Sequence, residues 1–100
     1  FNQTCALCEQ INTIPPITIR TNTLKTDRNS LAQELSAHVS ETGFTDYSSW
    51  GIKIRGPAVP VHELDAFRKG QFQVQDEAAQ LVTALLDPEP EERILDTCAG

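Results

Sequence analysis

The amino-acid sequence predicts an α+β fold of the ferredoxin-like type over residues 15–75. Two patterns indicate it: short segments rich in β-branched or alternating apolar residues, and segments whose apolar residues recur with helical spacing. Their order along the chain is β-α-β-β-α-β, the order of ferredoxin-like and RNA-recognition-motif domains. A sheet covered by two helices buries one core, which suits a chain of 100 residues.

Individual residues indicate where the predicted helices begin and end. A short helix within residues 5–14 ends at Pro15-Pro16, because proline cannot continue a helix. Asp27 is a suitable N-cap for the next helix, and Gly43 a suitable stop. The predicted elements after the first helix are a strand over 17–24, a helix over about 28–42, a weak strand over 44–47, a strand over 51–55, a helix over 62–68 and a strand over 72–74.

The apolar positions of these elements predict the core, because one face of each strand and one stripe of each helix must be buried. The predicted core consists of Ile17, Ile19, Leu31, Leu35, Val39, Ile52, Ile54, Phe67, Phe72 and Val74.

The charge distribution predicts a boundary near residue 75. The net charge is −6, yet residues 1–75 are neutral, while residues 76–100 hold seven acidic side chains and only Arg93 as a base. A second unit is therefore expected after the boundary. It begins with an amphipathic helix over 76–86, whose apolar face is Ala78, Leu81, Val82, Leu85 and Leu86, and continues with a buried strand over 93–97 that runs into Cys98-Ala99-Gly100. A helix followed by such a strand is one way to begin a doubly wound sheet.

Three stretches carry a resemblance to a known family. Gly70–Val82 resembles the pattern G-x-F-x-V-Q-D-x-A-(A/S)-Q-L, Ile94–Gly100 resembles (I/V)-L-D-x-C-A-(A/G), and Pro15–Lys25 resembles P-P-x-x-L-R-x-N-x-L-K. With this spacing the chain resembles the Sun family of RsmB-like RNA cytosine-5 methyltransferases over about residues 15–100. One departure is Glu91, where the family usually has Gly in the turn before the strand.

The resemblance implies a division into a linker or short helix (1–14), a small RNA-recognition-motif-like domain (15–75) and the truncated start of a class I, Rossmann-like methyltransferase domain (76–100). It implies S-adenosylmethionine as the cofactor of the whole enzyme, with Cys98, Ala99 and Gly100 opening the loop around its methionine end. The family's nucleophilic cysteine would lie beyond residue 100, and Cys98 matches the cofactor loop instead. The chain alone is then expected to be inactive and to hold no cofactor.

Four polar side chains are candidates for RNA contact. Arg20, Asn22, Lys53 and Arg55 occupy alternate positions of two strands, opposite the isoleucines. On the uncovered face of a ferredoxin-like sheet they could meet phosphates and sugars of RNA, and ribosomal RNA is the expected substrate of the whole enzyme. The alternatives are a solvated face or one docked on the catalytic domain, since these strands lack the paired aromatics of typical RNA-recognition motifs.

The cysteines favour a reducing, cytoplasmic location, because Cys5, Cys8 and Cys98 are odd in number and no secretion signal precedes them. Cys5-x-x-Cys8 could supply half of a zinc site, but His38, His62 and Cys98 are isolated in sequence, so no metal site is predicted. No membrane segment is predicted either.

Two other functional interpretations stay open. One is a stand-alone ferredoxin-like interaction module without enzyme activity, and the other a dinucleotide-binding protein, which lacks G-x-G-x-x-G. The absence of any Met and of a leader predicts that the chain is an internal piece of a longer protein. The apolar face of helix 76–86 is then expected to pack back on the small domain, to fray, or to support self-association, which is favoured.

Overall fold

The computed structural model describes residues 1–99, and Gly100 lies outside the described residues. The helices and strands are α1 (Asn2–Ile11), β1 (Ile17–Thr21), α2 (Arg28–Ser36), β2 (Val39–Phe44), β3 (Gly51–Pro57), α3 (Asp65–Arg68), β4 (Phe72–Val74) and α4 (Glu77–Leu86), with a 3-10 turn at Val61–Glu63. None of the helices in this described part is long and apolar enough to cross a membrane.

The four strands form one sheet in the order β2-β3-β1-β4, and all neighbouring strands are antiparallel. β1 lies inside the sheet, where Ile19 faces Ile52 on one side and Val74 on the other. α2 joins β1 to β2 across β3, and α3 joins β3 to β4 across β1. This topology is ferredoxin-like, so the predicted fold of the small domain is confirmed.

The core lies between the sheet and the two crossover helices. Six of the predicted core residues are buried, namely Ile19, Leu31, Leu35, Ile52, Ile54 and Phe72, and they are joined by Leu64 and Ala66. Ile17, Val39 and Phe67 are partly buried against this cluster. The prediction for Val74 is wrong, because 56% of this residue is exposed. β4 is an edge strand, and the short helix α3 packs its Phe67 ring on Phe72, with ring centroids 5.6 Å apart, without extending over Val74.

The boundary between α2 and β2 corrects two predictions. α2 starts as expected, with the Asp27 carboxylate accepting hydrogen bonds from the backbone of Asn29 and Ser30, but it ends at Ser36 instead of residue 42. Residues 39–44 form a strand, in which Val39 pairs with Pro57 and Gly43 with Lys53. The predicted strand over 44–47 is therefore also wrong. Pairing with β3 outweighs the local helical spacing of Leu31, Leu35 and Val39, because propensity yields to tertiary contacts.

The helix predicted over 76–86 forms as α4, and it packs mainly on β1. Gln80 is completely buried: its Nε2 donates to the carbonyl oxygens of Ile19, at 3.3 Å, and Gln75, at 2.9 Å, and its Oε1 accepts from the Ser48 hydroxyl at 2.7 Å. One turn earlier, Oε1 of Glu77 accepts from the backbone nitrogens of Tyr47 and Ser48 at 2.6 and 2.8 Å. We call Glu77, Gln80 and these contacts the α4 clasp.

The expected apolar face of α4 is not what attaches it. Val82, Leu85 and Leu86 are 65%, 86% and 56% exposed and only Leu81 of the larger apolar residues is partly buried, so the helix packs back on the small domain mainly through the polar clasp. Polar attachment is specific in position, because each buried donor and acceptor must meet its partner.

The predicted buried strand over 93–97 is not formed, since residues 92–96 carry no regular structure and Ile94 and Leu95 are 54% and 84% exposed. A strand requires a neighbouring strand for its backbone hydrogen bonds, and residues 93–97 pair with none of the four strands. Before it, Glu91 has a φ of 74°, a left-handed conformation that favours glycine. This is the position where the resembling family usually has Gly.

Replacing Leu35, which is 1% exposed, with Ala should lower the free energy of unfolding by about 2–5 kcal/mol. Urea melts followed by circular dichroism measure the change. Leu85→Ala removes the same atoms from a residue that is 86% exposed, and it should change stability by less than about 0.5 kcal/mol. Equal effects of the two substitutions would contradict the assigned core.

Gln80→Leu should destabilise the chain by about 1–3 kcal/mol, because it leaves buried polar groups without partners. Gln33→Leu, on the exposed side of α2, is the matched control and should leave the melting temperature nearly unchanged.

The clasp should also make stability depend on pH. The backbone N–H groups of Ser48 and Tyr47 lower the pKa of Glu77 below its ordinary value. The ionised Glu77 therefore stabilises the fold at pH values above its pKa in the unfolded chain. This stabilisation is lost as the pH falls through the lowered pKa of Glu77 in the folded chain. Glu77→Gln should flatten the acid side of the stability profile, measured by urea melts between pH 3 and 7. The pH dependence of stability that remains in this variant should come in part from Asp27, whose pKa is lowered by its hydrogen bonds with Ser30 and Asn29. An unchanged profile would exclude the ionised clasp.

Candidate functional site

Arg20, Lys53 and Arg55 lie on the sheet face opposite the core isoleucines. The register sets Arg20 beside Gly51 and Lys53 beside Thr18, so Arg20 and Lys53 are diagonal neighbours on β1 and β3. Arg55 follows two residues after Lys53 on the same side of β3. We call these three residues the basic face. The alternation predicted from the sequence is thus present for Arg20, Lys53 and Arg55, whereas the placement of Asn22 on the same strand is wrong, because β1 ends at Thr21.

Lys53 and Arg55 have acidic neighbours from the β2 side. Lys53 Nζ is 2.9 Å from Asp46 Oδ2, and this hydrogen bond raises the pKa of Lys53. Arg55 Nε is 3.6 Å from Glu41 Oε2, and its Nη1 donates to the carbonyl oxygen of Ile14 at 3.0 Å. Both ion pairs are solvent-exposed, so they are screened and can be exchanged for another anion.

Arg20 differs from the other two because it takes no part in the ion pairs formed among residues 1–99. Its guanidinium carbon lies 5.2 Å from the centre of the Trp50 ring, and Nη1 is 3.5 Å from Gln75 Oε1. The ring holds the guanidinium in place by a cation–π contact without neutralising its charge. The role of Trp50 was not predicted from the sequence. Its position directly before β3 was the one feature that could have indicated it.

Asn22 has a structural role that the sequence did not reveal. Its Nδ2 donates to the carbonyl oxygen of Gly70 at 2.9 Å, and its Oδ1 accepts from the backbone nitrogen of Leu24 at 3.2 Å. Lys25 Nζ donates to the carbonyl oxygen of Lys69 at 2.7 Å. These bonds tie the loop after β1 to the turn before β4, where Gly70 has a φ of 69°. One donor and one acceptor position of the Asn22 amide are therefore used within the protein.

Two depressions accompany these residues. A groove of about 480 Å³ at the β1–β4 end is lined by Arg20, Thr21, Asn22, Thr23, Leu24, Gly70, Phe72 and Gln73. A smaller depression of about 150 Å³ is lined by Pro16, Glu41, Gly43, Lys53 and Arg55. The four candidate RNA residues are thus divided between the two, with Arg20 and Asn22 in the first and Lys53 and Arg55 in the second.

Two of the three residues predicted to meet the cofactor are exposed in this chain. Cys98 and Ala99 lie in an exposed turn, in which Cys98 N donates to Asp96 Oδ1 at 2.9 Å. The third, Gly100, falls outside the described residues. With Leu95 84% exposed and no strand before the turn, these residues do not by themselves enclose a cavity that fits S-adenosylmethionine.

The thiols of Cys5, Cys8 and Cys98 are free and exposed, and Cys5 and Cys8 lie on α1, which buries none of its residues. Within residues 1–99, no three His, Cys, Asp or Glu side chains converge as metal ligands. His38 is exposed in the turn between α2 and β2.

Comparison with known proteins identifies relatives along nearly the whole chain. A probable ribosomal RNA small subunit methyltransferase B of Synechocystis sp. is 36% identical over 98% of this chain and 22% of its own length. The corresponding protein of Bacillus subtilis is 35% identical over 91% of the chain and 20% of its own length. A human 28S rRNA (cytosine(4447)-C(5))-methyltransferase is 35% identical over 91% of the chain and 12% of its own length.

The chain thus spans about a fifth or less of the length of these relatives. The family model described as "Methyltr_RsmF/B-like, ferredoxin-like domain" matches residues 2–62, which include α1 and the strands β1, β2 and β3. This match agrees with the sheet topology and with the resemblance drawn from the sequence. The chain therefore belongs to the RsmF/B-like methyltransferase family and contains its ferredoxin-like domain.

Proposed function

We propose that this domain positions ribosomal RNA for an S-adenosylmethionine-dependent RNA cytosine-5 methyltransferase. The observation that carries the proposal is the basic face: three cations share one side of a sheet in a chain whose net charge is −6. The names of the relatives, which are rRNA methyltransferases, support the same substrate class.

Charge supports the basic face over the rest of the chain as the place where RNA binds. The acidic excess is confined to residues 76–100, and of these acidic residues Glu77 is hydrogen-bonded to the ferredoxin-like part, at Tyr47 and Ser48. Phosphates could displace Asp46 and Glu41 from Lys53 and Arg55, because both carboxylates belong to exposed ion pairs. Backbone phosphate contacts of this kind position RNA without reading its sequence.

The division of labour in the whole protein follows from the family. We propose that residues 15–75 form the RNA-positioning domain, that residues 1–14 connect it to a preceding part, and that residues 76–100 begin the class I methyltransferase domain. Cys98, Ala99 and Gly100 would then join the cofactor loop once the rest of the catalytic sheet is present. The chain alone would be inactive, because Cys98 and Ala99 are exposed and the family's nucleophilic cysteine would lie outside residues 1–100. Exposed free thiols also favour a reducing, cytoplasmic location.

The exposed side of α4 provides the basis for a second proposal, self-association of the isolated chain. Val82, Leu85 and Leu86 present adjoining apolar side chains to solvent, and such patches favour association.

The RNA proposal is tested by removing charge from the basic face. The double variant Lys53→Gln, Arg55→Gln should bind a single-stranded oligoribonucleotide more weakly than the unmodified chain. Its slope of log binding constant against log salt concentration should become shallower by about 1.4, because each phosphate contact on a single strand contributes about 0.7. Fluorescence anisotropy at several salt concentrations measures both quantities.

Arg68→Gln, Arg93→Gln is the matched control, since it removes the same charge from exposed sites outside the basic face. Binding and slope should stay close to those of the unmodified chain. If both double variants lose affinity equally, the contact is general electrostatic attraction. If neither does, the basic face does not bind RNA.

A further inference from the structure

We propose that the groove at the β1–β4 end seats one unpaired nucleotide, with its phosphate held by Arg20 and Lys25. This proposal rests on the proposed RNA function and adds a distinct subsite to the basic face. The groove volume of about 480 Å³ lies within the range of about 300–1,000 Å³ typical of small-molecule sites.

The electrostatics of the groove favour an anion. No acidic residue is among its eight lining residues. Arg20 lines it, and Lys25 lies directly against it, because a Cβ on the lining residue Gly70 would be 2.7 Å from Lys25 Nζ. Neither cation takes part in the four ion pairs formed within residues 1–99. Two cations outside these ion pairs therefore stand beside one concave surface that has no acidic lining residue.

Both cations keep donors free while their positions are fixed. Lys25 uses one of its three ammonium donors on the carbonyl oxygen of Lys69. Arg20 makes one long hydrogen bond, to Gln75, and is held by the Trp50 ring. A phosphate would therefore meet preoriented donors, and charge-assisted hydrogen bonds to phosphate are among the stronger ones.

The rest of the groove suits a nucleobase. Leu24 is 94% exposed and offers an apolar surface for the face of a base. Gln73 and Asn22 present side-chain amides, and the bond from Asn22 to Gly70 holds the two walls together. A base inside a duplex is stacked and paired, so only an unpaired nucleotide could enter such a concave site.

The experiment is an NMR titration of the ¹⁵N-labelled chain with a single-stranded hexaribonucleotide, with a duplex of the same length and with inorganic phosphate. The hexanucleotide should shift the amides of Asn22, Gly70 and Gln73. Arg20→Gln and Lys25→Gln should each weaken its binding about tenfold, the effect of losing one hydrogen bond to a charged group. Arg93→Gln is the control and should bind normally. Lys25→Gln is informative even if Arg20→Gln disturbs Trp50, since Lys25 is exposed.

Several results would contradict the proposal that the groove binds a nucleotide. If phosphate alone shifts these amides and the hexanucleotide does not, the groove is only an anion site. If the duplex binds as tightly as the single strand, the unpaired nucleotide is excluded. If Lys53→Gln, Arg55→Gln weakens binding while Arg20→Gln and Lys25→Gln do not, the groove is rejected and the proposed function stands. If the hexanucleotide does not bind at all, both proposals fail.

Discussion

Ile19, at the centre of β1, is where the main parts of the structure meet. Its side chain is completely buried in the core, and its backbone is paired with Ile52 of β3 and Val74 of β4. Its carbonyl oxygen also accepts the side-chain amide of Gln80 from α4. The other strands of the sheet, the helices over the core and α4 thus all contact one strand. A shift of the β1 register by one residue would therefore disrupt all of these contacts.

The same strand places the candidate functional residues. Because successive side chains of a strand alternate, burial of Ile19 and Thr21 leaves Arg20 on the opposite face, diagonal to Lys53. At the end of the strand, Asn22 and Lys25 tie the following loop to the turn at Gly70. Within β1, the buried Ile19 and Thr21 hold the strand in the core while Arg20 between them belongs to the charged surface, and the loop that follows β1 lines the groove. The α4 clasp then fixes how the segment that follows the ferredoxin-like part leaves it.

The strands with strong alternation could be predicted from the sequence, because Ile17, Ile19, Ile52 and Ile54 define a buried face by themselves. The end of α2 could not be predicted from the sequence, because the spacing of Leu31, Leu35 and Val39 fits a helix. Only pairing with β3 assigns Val39 to a strand. Of the candidate site, the positions of Arg20, Lys53 and Arg55 followed from alternation. The burial of Gln80, the contact between Arg20 and Trp50 and the tie from Asn22 to Gly70 join residues at least 30 positions apart, and local pattern carries no signal for them.

We infer that β1 and α4 form one cooperative unit through the clasp. Native-state hydrogen exchange of the unmodified chain tests it most directly, because it reports the opening free energy of each amide. If β1 and α4 open together, the amides of Leu81 and Val82 in α4 should have the same opening free energy as those of Ile19 and Thr21 in β1. Exchange of the α4 amides at the rate of an unfolded peptide, with β1 still protected, would contradict it.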